Sequence, residues 1–164
     1  MSRARFIVAG FIATTAALVA VGELAAQADK AALVKARQDE MSQMGRAFGP
    51  LGRVVRGESQ NMADAVASAE TMSNNAKKIV ANFPPGTGRD AVPDTRAKPE
   101  IWARRAEFEA AAAKLVEESG KLLAAAKSND AAALRAQFGP FGQACGGCHE
   151  GPVRSGGTFR FERQ

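Results

Sequence analysis

The chain has 164 residues, a length typical of one domain with a single hydrophobic core. Its formal net charge is +5, but the lysines and arginines are interleaved with acidic residues and form no basic block or stripe. The sequence has no tyrosine and one tryptophan, so it offers no aromatic surface on which bases could stack. Composition therefore argues against a nucleic-acid-binding protein, and no nucleic-acid partner is expected.

Residues 1–28 have the order of a secretory signal peptide. Two arginines precede an apolar run from Phe6 to Val21, and the small-residue sequence Ala26-Gln27-Ala28 follows. An uncleaved membrane anchor is the alternative, but the run is shorter than the roughly 20 residues that span a bilayer, and Glu23 follows it closely. We therefore predict export to the periplasm and no stable membrane span after cleavage of this segment.

Residues 29–150 are predicted to fold as a bundle of amphipathic helices. In each helix, apolar or semi-buried positions recur at alternating steps of three and four residues, which is typical of one helix face. The first two faces consist of Leu33, Arg37, Met41, Met44, Phe48, Leu51 and Val55, and then of Met62, Ala65, Ala69, Met72, Ala76, Ile79 and Phe83. The second helix is expected to end near Asn82, because a loop rich in proline and glycine follows.

A third and a fourth helix follow this long loop. Pro99 suits the first residue of the third helix, and Ser128-Asn129-Asp130 supplies a turn and an N-cap for the fourth. Pro50 and Pro140 should bend or interrupt the first and last helices. No stretch alternates with the period of two that a strand would show. The sequence therefore predicts an all-α fold, an antiparallel four-helix bundle.

The strongest signal is the pentapeptide Cys145-Gly146-Gly147-Cys148-His149 in the fourth helix. Residues three and four apart project from the same helix face, so both sulfurs and the imidazole point to one side. This arrangement suits one covalently bound haem, with each thiol joined to a vinyl group and His149 ligating the iron. The two glycines let the macrocycle lie close to the backbone, although they weaken the helix.

Three other interpretations fit the pentapeptide less well. A thioredoxin-like redox pair would be expected in a βαβ unit with its cysteines at a helix start. A zinc site would lack a fourth Cys or His ligand, because His149 is the only histidine and the two cysteines are the only ones. A structural disulfide, common in exported proteins, would leave His149 unexplained.

Three further motifs precede the pentapeptide in order along residues 29–150. They are Arg37-Gln38-Asp39-Glu40-Met41 with Met44, Phe83-Pro84-Pro85-Gly86 and Pro99-Glu100-Ile101-Trp102. In this combination the chain resembles the class II c-type cytochromes, of which cytochrome c′ is the best-known member. The resemblance implies that Arg37 and Gln38 lie beside a haem propionate and that Met41 faces the distal side of the iron.

The residues themselves leave alternatives open on the distal side. Arg37 and Met41 share one helical face, yet Arg37 could equally be a surface or interface arginine, and Met41 could simply fill the core. If Met41 binds the iron, the haem is six-coordinate and low-spin. If Met41 only covers the iron, the resemblance implies a five-coordinate, high-spin haem that binds small gases such as NO or CO.

The sequence departs from the family pattern after His149. The family continues its last helix to an aromatic residue, followed by an arginine four places after the histidine and near the proximal imidazole. Here position 153 is Val, Arg154 comes one place later, and Gly151-Pro152 should end the helix early. Residues 151–164 are therefore predicted to be a flexible C-terminal tail, in which Phe159-Arg160-Phe161 is assigned no role.

These observations together predict an exported cytochrome with one haem c, which transfers single electrons to and from redox partner proteins of the periplasm. The alternative is a gas-binding haem protein in which Met41 covers the iron without ligating it. An enzyme is not expected, because the sequence offers no second histidine, no nucleophile with an adjacent base and no further metal site. The resemblance also implies pairing of two copies through the first two helices, as a homodimer.

Overall fold

The computed structural model of the protein describes residues 7–149 and 157–160. Within these ranges it contains five α-helices and no strand. They are α1 (Ile7–Val55), α2 (Met62–Ala76), α3 (Glu100–Ala103), α4 (Arg105–Lys127) and α5 (Ala131–Gly146). The predicted all-α fold is confirmed.

Four of these helices form a closed ring around one core. Helix α1 packs on α2, α2 on α4, α4 on α5, and α5 on α1, while α3 is a single turn that contacts α4. The largest fully buried apolar side chains of this core are Leu51, Met72, Ile101, Leu122, Leu134 and Phe141. Burial of one such side chain contributes about 1.5–3 kcal/mol. The predicted four-helix bundle is thus the observed architecture.

Helix α1 is longer than the first predicted helix. It begins at Ile7, inside the segment that was assigned to a signal peptide, and residues 1–6 lie outside the described residues. In the described part of the chain, no helix is both long enough and apolar enough to cross a membrane. The assignment of residues 1–28 as a signal peptide stays a prediction.

Local sequence explains where α5 begins. The Asp130 carboxylate accepts hydrogen bonds from the backbone amides of Ala132 and Ala133 at 2.8 and 3.2 Å, which confirms the predicted N-cap. Pro140 lies inside α5, as Pro50 lies inside α1, and both helices continue through the proline. Neither proline interrupts its helix, so of the two predicted outcomes the interruption is wrong and the bend stays a prediction.

The second and third predicted helices differ from the observed ones at their ends. Helix α2 ends at Ala76, and turns continue the chain to Asn82, with hydrogen bonds of the three-residue spacing such as Lys78 N to Asn75 O. Pro99 is the residue before α3 and acts as its N-cap position. The backbone then leaves helical geometry at Arg104, with φ −117° and ψ 47°, so the third predicted helix is divided into α3 and α4.

Residues 157–160 pack against the bundle. The side chain of Phe159 is only 4% exposed, and its ring meets that of Phe108 edge to face at 5.5 Å between centroids. The backbone amide of Lys98 donates to the carbonyl of Phe159 at 3.1 Å. The structure corrects the prediction of a flexible tail for these four residues, because an aromatic ring buried in the core fixes them.

Candidate functional site

The pentapeptide lies where α5 ends. Cys145 belongs to the last turn of the helix, and Cys148 and His149 follow in a turn that continues it. The amides of Cys148 and His149 both donate to the carbonyl of Cys145, at 3.2 and 3.1 Å. Gly146 and Gly147 have low helix propensity, which accounts for the end of the regular helix between the two cysteines. The backbone still keeps near-helical spacing from Cys145 to His149.

Both cysteines are free thiols on the edge of the core. They are partly buried and pack against its apolar side chains. The pKa of each thiol is raised to about 11, by burial in both cases and, for Cys145, in smaller part by the neighbouring Cys148. The two thiols are therefore protonated at neutral pH and are not joined to each other.

His149 is held as a neutral imidazole. Its pKa is lowered to about 4, mainly by burial and in smaller part by the positive charges of Arg160 and Arg96. Its Nδ1 atom is buried and has no hydrogen-bond partner among the described residues. A neutral ring is the form in which histidine ligates a metal.

Apolar side chains from α1 lie in the same cluster as the two cysteines. Met41 is partly buried and packs against the core that Cys145 and Cys148 also contact. Nearby on α1, the ring of Phe48 lies 6.1 Å from that of Phe138 and 5.7 Å from that of Phe141. Helices α1 and α5 therefore meet through aromatic contacts close to the pentapeptide in sequence.

Arg37 is buried, not on the surface. Its side chain is 3% exposed, and the guanidinium lies 4.3 Å from the centre of the Phe83 ring. It donates to the hydroxyl of Thr87 at 2.9 Å, to the carbonyl of Thr87 at 2.8 Å and to the hydroxyl of Thr95 at 2.7 Å. Burial lowers the pKa of Arg37 to about 10, so the group stays charged at neutral pH. The alternative that Arg37 is an exposed surface arginine is therefore excluded.

Gln38 is exposed and also contacts the long loop. Its side-chain amide donates to the carbonyl of Asp94 at 3.5 Å. With Arg37 it fastens this loop to α1, while Trp102 fastens it from α3 by donating to the carbonyls of Phe83 and Pro84. The predicted contact of Arg37 and Gln38 with a propionate stays a prediction.

Two basic residues near His149 were not anticipated from the sequence. Arg96 comes from the long loop and Arg160 from the C-terminal segment, and both act electrostatically on the imidazole. They are separated in sequence by more than 60 residues, and an antiparallel bridge between Ala97 and Arg160 brings the two segments together. Because the paired segments are far apart in sequence, no short-range sequence pattern could have predicted that they meet.

The described residues form no alternative metal site. No group of three or more His, Cys, Asp or Glu side chains in this part of the chain is arranged to hold a metal ion. A four-helix bundle that carries Cys-x-x-Cys-His at the end of its last helix is instead the arrangement of a class of c-type cytochromes.

Comparison with known proteins agrees with this class. The family model described as Cytochrome C′ matches residues 32–151, and the chain belongs to this family. Cytochrome c-556 of Agrobacterium tumefaciens is 35% identical over 118 residues, which cover 71% of this chain and 93% of that protein. Cytochrome c′ of Rubrivivax gelatinosus is 35% identical over 120 residues, which cover 71% and 90%.

Solved structures of the family have the same fold. The structure of cytochrome c′ from Rubrivivax gelatinosus aligns with a TM-score of 0.69 and 30% identity, over 80% of this chain and 96% of that one. A variant of cytochrome c prime from Alcaligenes xylosoxidans with bound NO aligns with a TM-score of 0.67 and 30% identity, over 80% and 94%. The predicted resemblance is thus confirmed.

Family membership makes the chain a haem-binding c-type cytochrome with one covalent haem c, and not an enzyme. The residues present fit that group. Two protonated thiols stand three residues apart, and a neutral imidazole with a buried, unpartnered nitrogen follows directly. These are the donors that covalent attachment and iron ligation require.

Proposed function

We propose that the protein is a periplasmic cytochrome with one haem, which acts in single-electron transfer. Cys145 and Cys148 would hold the haem through two thioethers, and His149 would be the proximal iron ligand. The observation that carries this proposal is the neutral, partly buried imidazole of His149, with its buried Nδ1 atom, in sequence beside two free thiols at the end of α5. Haem iron supplies one-electron chemistry by alternating between the ferric and ferrous states.

The chain would contribute attachment, orientation and exclusion of water. Each thiol would add across a vinyl double bond, with sulfur bonding one carbon and the thiol proton going to the other. The half-burial of both cysteines and the aromatic contacts of Phe48 with Phe138 and Phe141 support a site with limited access of water. A low-polarity surrounding of this kind reduces the reorganisation that an electron transfer demands of the solvent.

Arg37 and Gln38 would lie near a haem propionate. The support for Arg37 is its buried positive charge, which the hydroxyls of Thr87 and Thr95 hold in place without neutralising it. An anionic propionate close to this guanidinium would gain a charge-assisted interaction. Gln38 is exposed on the next position of α1 and has an amide that can donate.

A second candidate function is the binding of small gases. Family structures of cytochrome c prime from Alcaligenes xylosoxidans carry NO in one case and carbon monoxide in another. In this candidate, Met41 would pack over the iron without ligating it and leave a sixth position for the gas. In the electron-transfer candidate with a ligating Met41, the thioether would occupy that position and raise the reduction potential.

A homodimer through α1 and α2 is proposed as the assembly. A shallow groove between these helices is lined by Gln43, Arg46, Ala47, Ala67, Ser68 and Thr71. Small residues at such a position let two helices approach closely, which supports this choice of face. Sedimentation of the holoprotein over a range of concentrations tests it, and a monomer at every concentration would exclude it.

The absorption spectrum of the holoprotein tests the two candidate functions together. The protein should be exported from a strain that matures c-type cytochromes, and spectra should be recorded in the ferric and ferrous states with and without CO. A low-spin ferric spectrum and no response of the ferrous form to CO support electron transfer with Met41 as ligand. A high-spin spectrum with a CO response supports gas binding, and a protein without covalent haem contradicts both.

A further inference from the structure

Residues 157–160 lie beyond the part of the chain that the family model matches, yet they are fastened to the bundle. The backbone amide of Lys98, in the long loop, donates to the carbonyl of Phe159 at 3.1 Å. An antiparallel bridge between Ala97 and Arg160 continues this pairing. The segment therefore has a fixed position against the loop that connects α2 to α3.

The ring of Phe159 completes a row of three aromatic rings. Phe159 is only 4% exposed, and its ring lies edge to face on that of Phe108 in α4, with 5.5 Å between the centroids. The ring of Phe108 lies edge to face on that of Phe83 in the long loop, at 5.2 Å. Aromatic pairs prefer this geometry. The row thus joins the C-terminal segment, α4 and the long loop at one end of the bundle.

Two contacts define the register of α4 against α5. The side-chain amide of Gln137 donates to the carboxylate of Glu118 at 2.6 Å. Further along α5, a methyl group added to Gly147 would lie 3.5 Å from the Cβ atom of Ala111. The contact position on α4 moves back along the sequence as that on α5 moves forward, so the two helices run antiparallel.

This register brings the backbone of His149 to the level of Phe108. Phe108 precedes Ala111 by almost one helical turn, about 4.5 Å along α4, and the chain after α5 continues in the direction of that turn. Phe159 lies on Phe108, and Cys148 packs against the core to which both rings belong. The C-terminal segment is therefore at the same end of the bundle as the pentapeptide.

We infer that residues 157–160 form a strap that closes the haem pocket beside His149, with the ring of Phe159 as the group that keeps water out. The inference rests on the proposed role of His149 as the proximal iron ligand. An apolar ring buried at this level excludes water from the imidazole and keeps the turn that carries it packed on the core. Phe159 is thus a positioning residue that acts through the turn of His149.

Hydrogen–deuterium exchange of the holoprotein, followed by mass spectrometry, tests the strap. The amides of Cys148 and His149 are hydrogen-bonded to the carbonyl of Cys145, so they exchange when this turn opens. Amides of α2 report global unfolding in the same experiment. Phe159→Ala should accelerate exchange of the turn relative to α2 by about tenfold, and Phe159→Leu, which keeps most of the apolar volume, should restore most of the protection.

Leu134→Ala is the matched control. It removes a fully buried side chain from the start of α5, far from the pentapeptide. Loss of this side chain should accelerate exchange in α2 and in the turn in proportion, because it destabilises the whole bundle. A change in their ratio as large as that of Phe159→Ala would show that any cavity in the core opens the turn, and would overturn the strap.

A second variant leaves the ring in place. Lys98→Met removes the hydrogen bond from the Lys98 side chain to the carbonyl of Gly157, which measures 2.6 Å, and should accelerate exchange of the same turn by a smaller factor. This variant also covers the case in which Phe159→Ala does not accumulate as holoprotein. Wild-type exchange of the turn in Lys98→Met and in every Phe159 variant that folds would overturn the strap.

Solvent perturbation of the haem spectrum separates the strap from the proposed function. Ethylene glycol shifts the Soret band more when more of the haem contacts solvent, so the shift should be several-fold larger in Phe159→Ala than in the wild type. An unchanged shift and unchanged exchange, with covalent haem and His149 still on the iron, would overturn the strap and leave the proposed function intact. A wild-type holoprotein in which His149 does not bind the iron would overturn both.

Discussion

The guanidinium of Arg37 lies 4.3 Å from the ring centre of Phe83, although the two residues are 46 positions apart in sequence. The contact joins the first helix to the beginning of the long loop. The same guanidinium reaches Thr87 and Thr95 further along that loop. One buried side chain therefore organises the segment that connects α2 to α3.

Replacement of Arg37 by Met should destabilise the protein by about 2–4 kcal/mol, because it leaves the buried hydroxyls and carbonyls of the loop without their charged donor. The measurement is urea unfolding of the holoprotein. Lys35→Met is the matched control, since the exposed ion pair of Lys35 with Asp39 contributes less than about 1 kcal/mol. Equal effects of the two substitutions would contradict the organising role of Arg37.

Replacement of Cys145 by Ala should leave one thioether and a haem that remains covalently bound. One vinyl group then stays conjugated with the macrocycle, so the α band of the pyridine haemochrome should shift to longer wavelength. Replacement of both Cys145 and Cys148 should abolish covalent attachment, which denaturing electrophoresis with haem staining reveals. Covalent haem in the double variant would show that Cys145 and Cys148 are not the sites of attachment.

Replacement of Met41 by Ala should accelerate CO binding to the ferrous protein several-fold, because the shorter side chain would uncover the distal face. Stopped-flow mixing with CO measures the rate, and a redox titration of the same variant separates the two roles of Met41. A large fall in potential indicates that the thioether was a ligand. Met62→Ala is the control, since Met62 is also partly buried but belongs to the start of α2. Equal CO-binding rates for Met62→Ala and Met41→Ala would refute the position of Met41 over the distal face of the iron.

Acidification should destabilise the protein through Glu118. Hydrogen bonds from Lys114, Lys121 and Gln137 lower the pKa of this buried carboxyl from 4.5 to about 2. Because the pKa is lower in the folded state, the stabilisation is complete above pH 4.5 and is lost as the pH falls towards 2.

The check is the melting temperature of the wild type and of Glu118→Gln between pH 6 and pH 2. The variant should be less stable at pH 6, and its melting temperature should fall less on acidification. Glu109→Gln, which removes an exposed carboxylate paired with Arg105, is the control and should follow the wild type. If the melting temperatures of the wild type and of Glu118→Gln fell by the same amount on acidification, the lowered pKa of Glu118 would be contradicted.

The helical periodicity of the sequence was sufficient to predict the bundle, since Leu51 of the first predicted face and Met72 of the second are both fully buried. It misplaced the end of α2, because Ile79 and Phe83 maintain the spacing of three and four while the backbone has already passed into turns. Periodicity reports which residues face the core, and a tight turn that faces the core satisfies it as well as a helix does.

The sequence predicted less well which residues each side chain contacts. The sequence placed Arg37 on the inner face of α1, but not against Thr87 and Thr95, which lie 50 and 58 residues away. The family pattern has an aromatic residue and then an arginine four places after the histidine, whereas here position 153 is Val. The structure pairs Arg160 with Ala97 of the long loop and packs Phe159 against Phe108 of α4, contacts that no local pattern in the sequence encodes.

The half-burial of Cys145 and Cys148 also has a bearing on biogenesis. A thiol that is packed against the core is a poor target for any attachment machinery, because access to it is restricted. Attachment of the haem should therefore precede final packing of the bundle, while the last helix is still accessible. The apolar contacts that surround the haem site would then also decide that haem attachment comes before the final folding step.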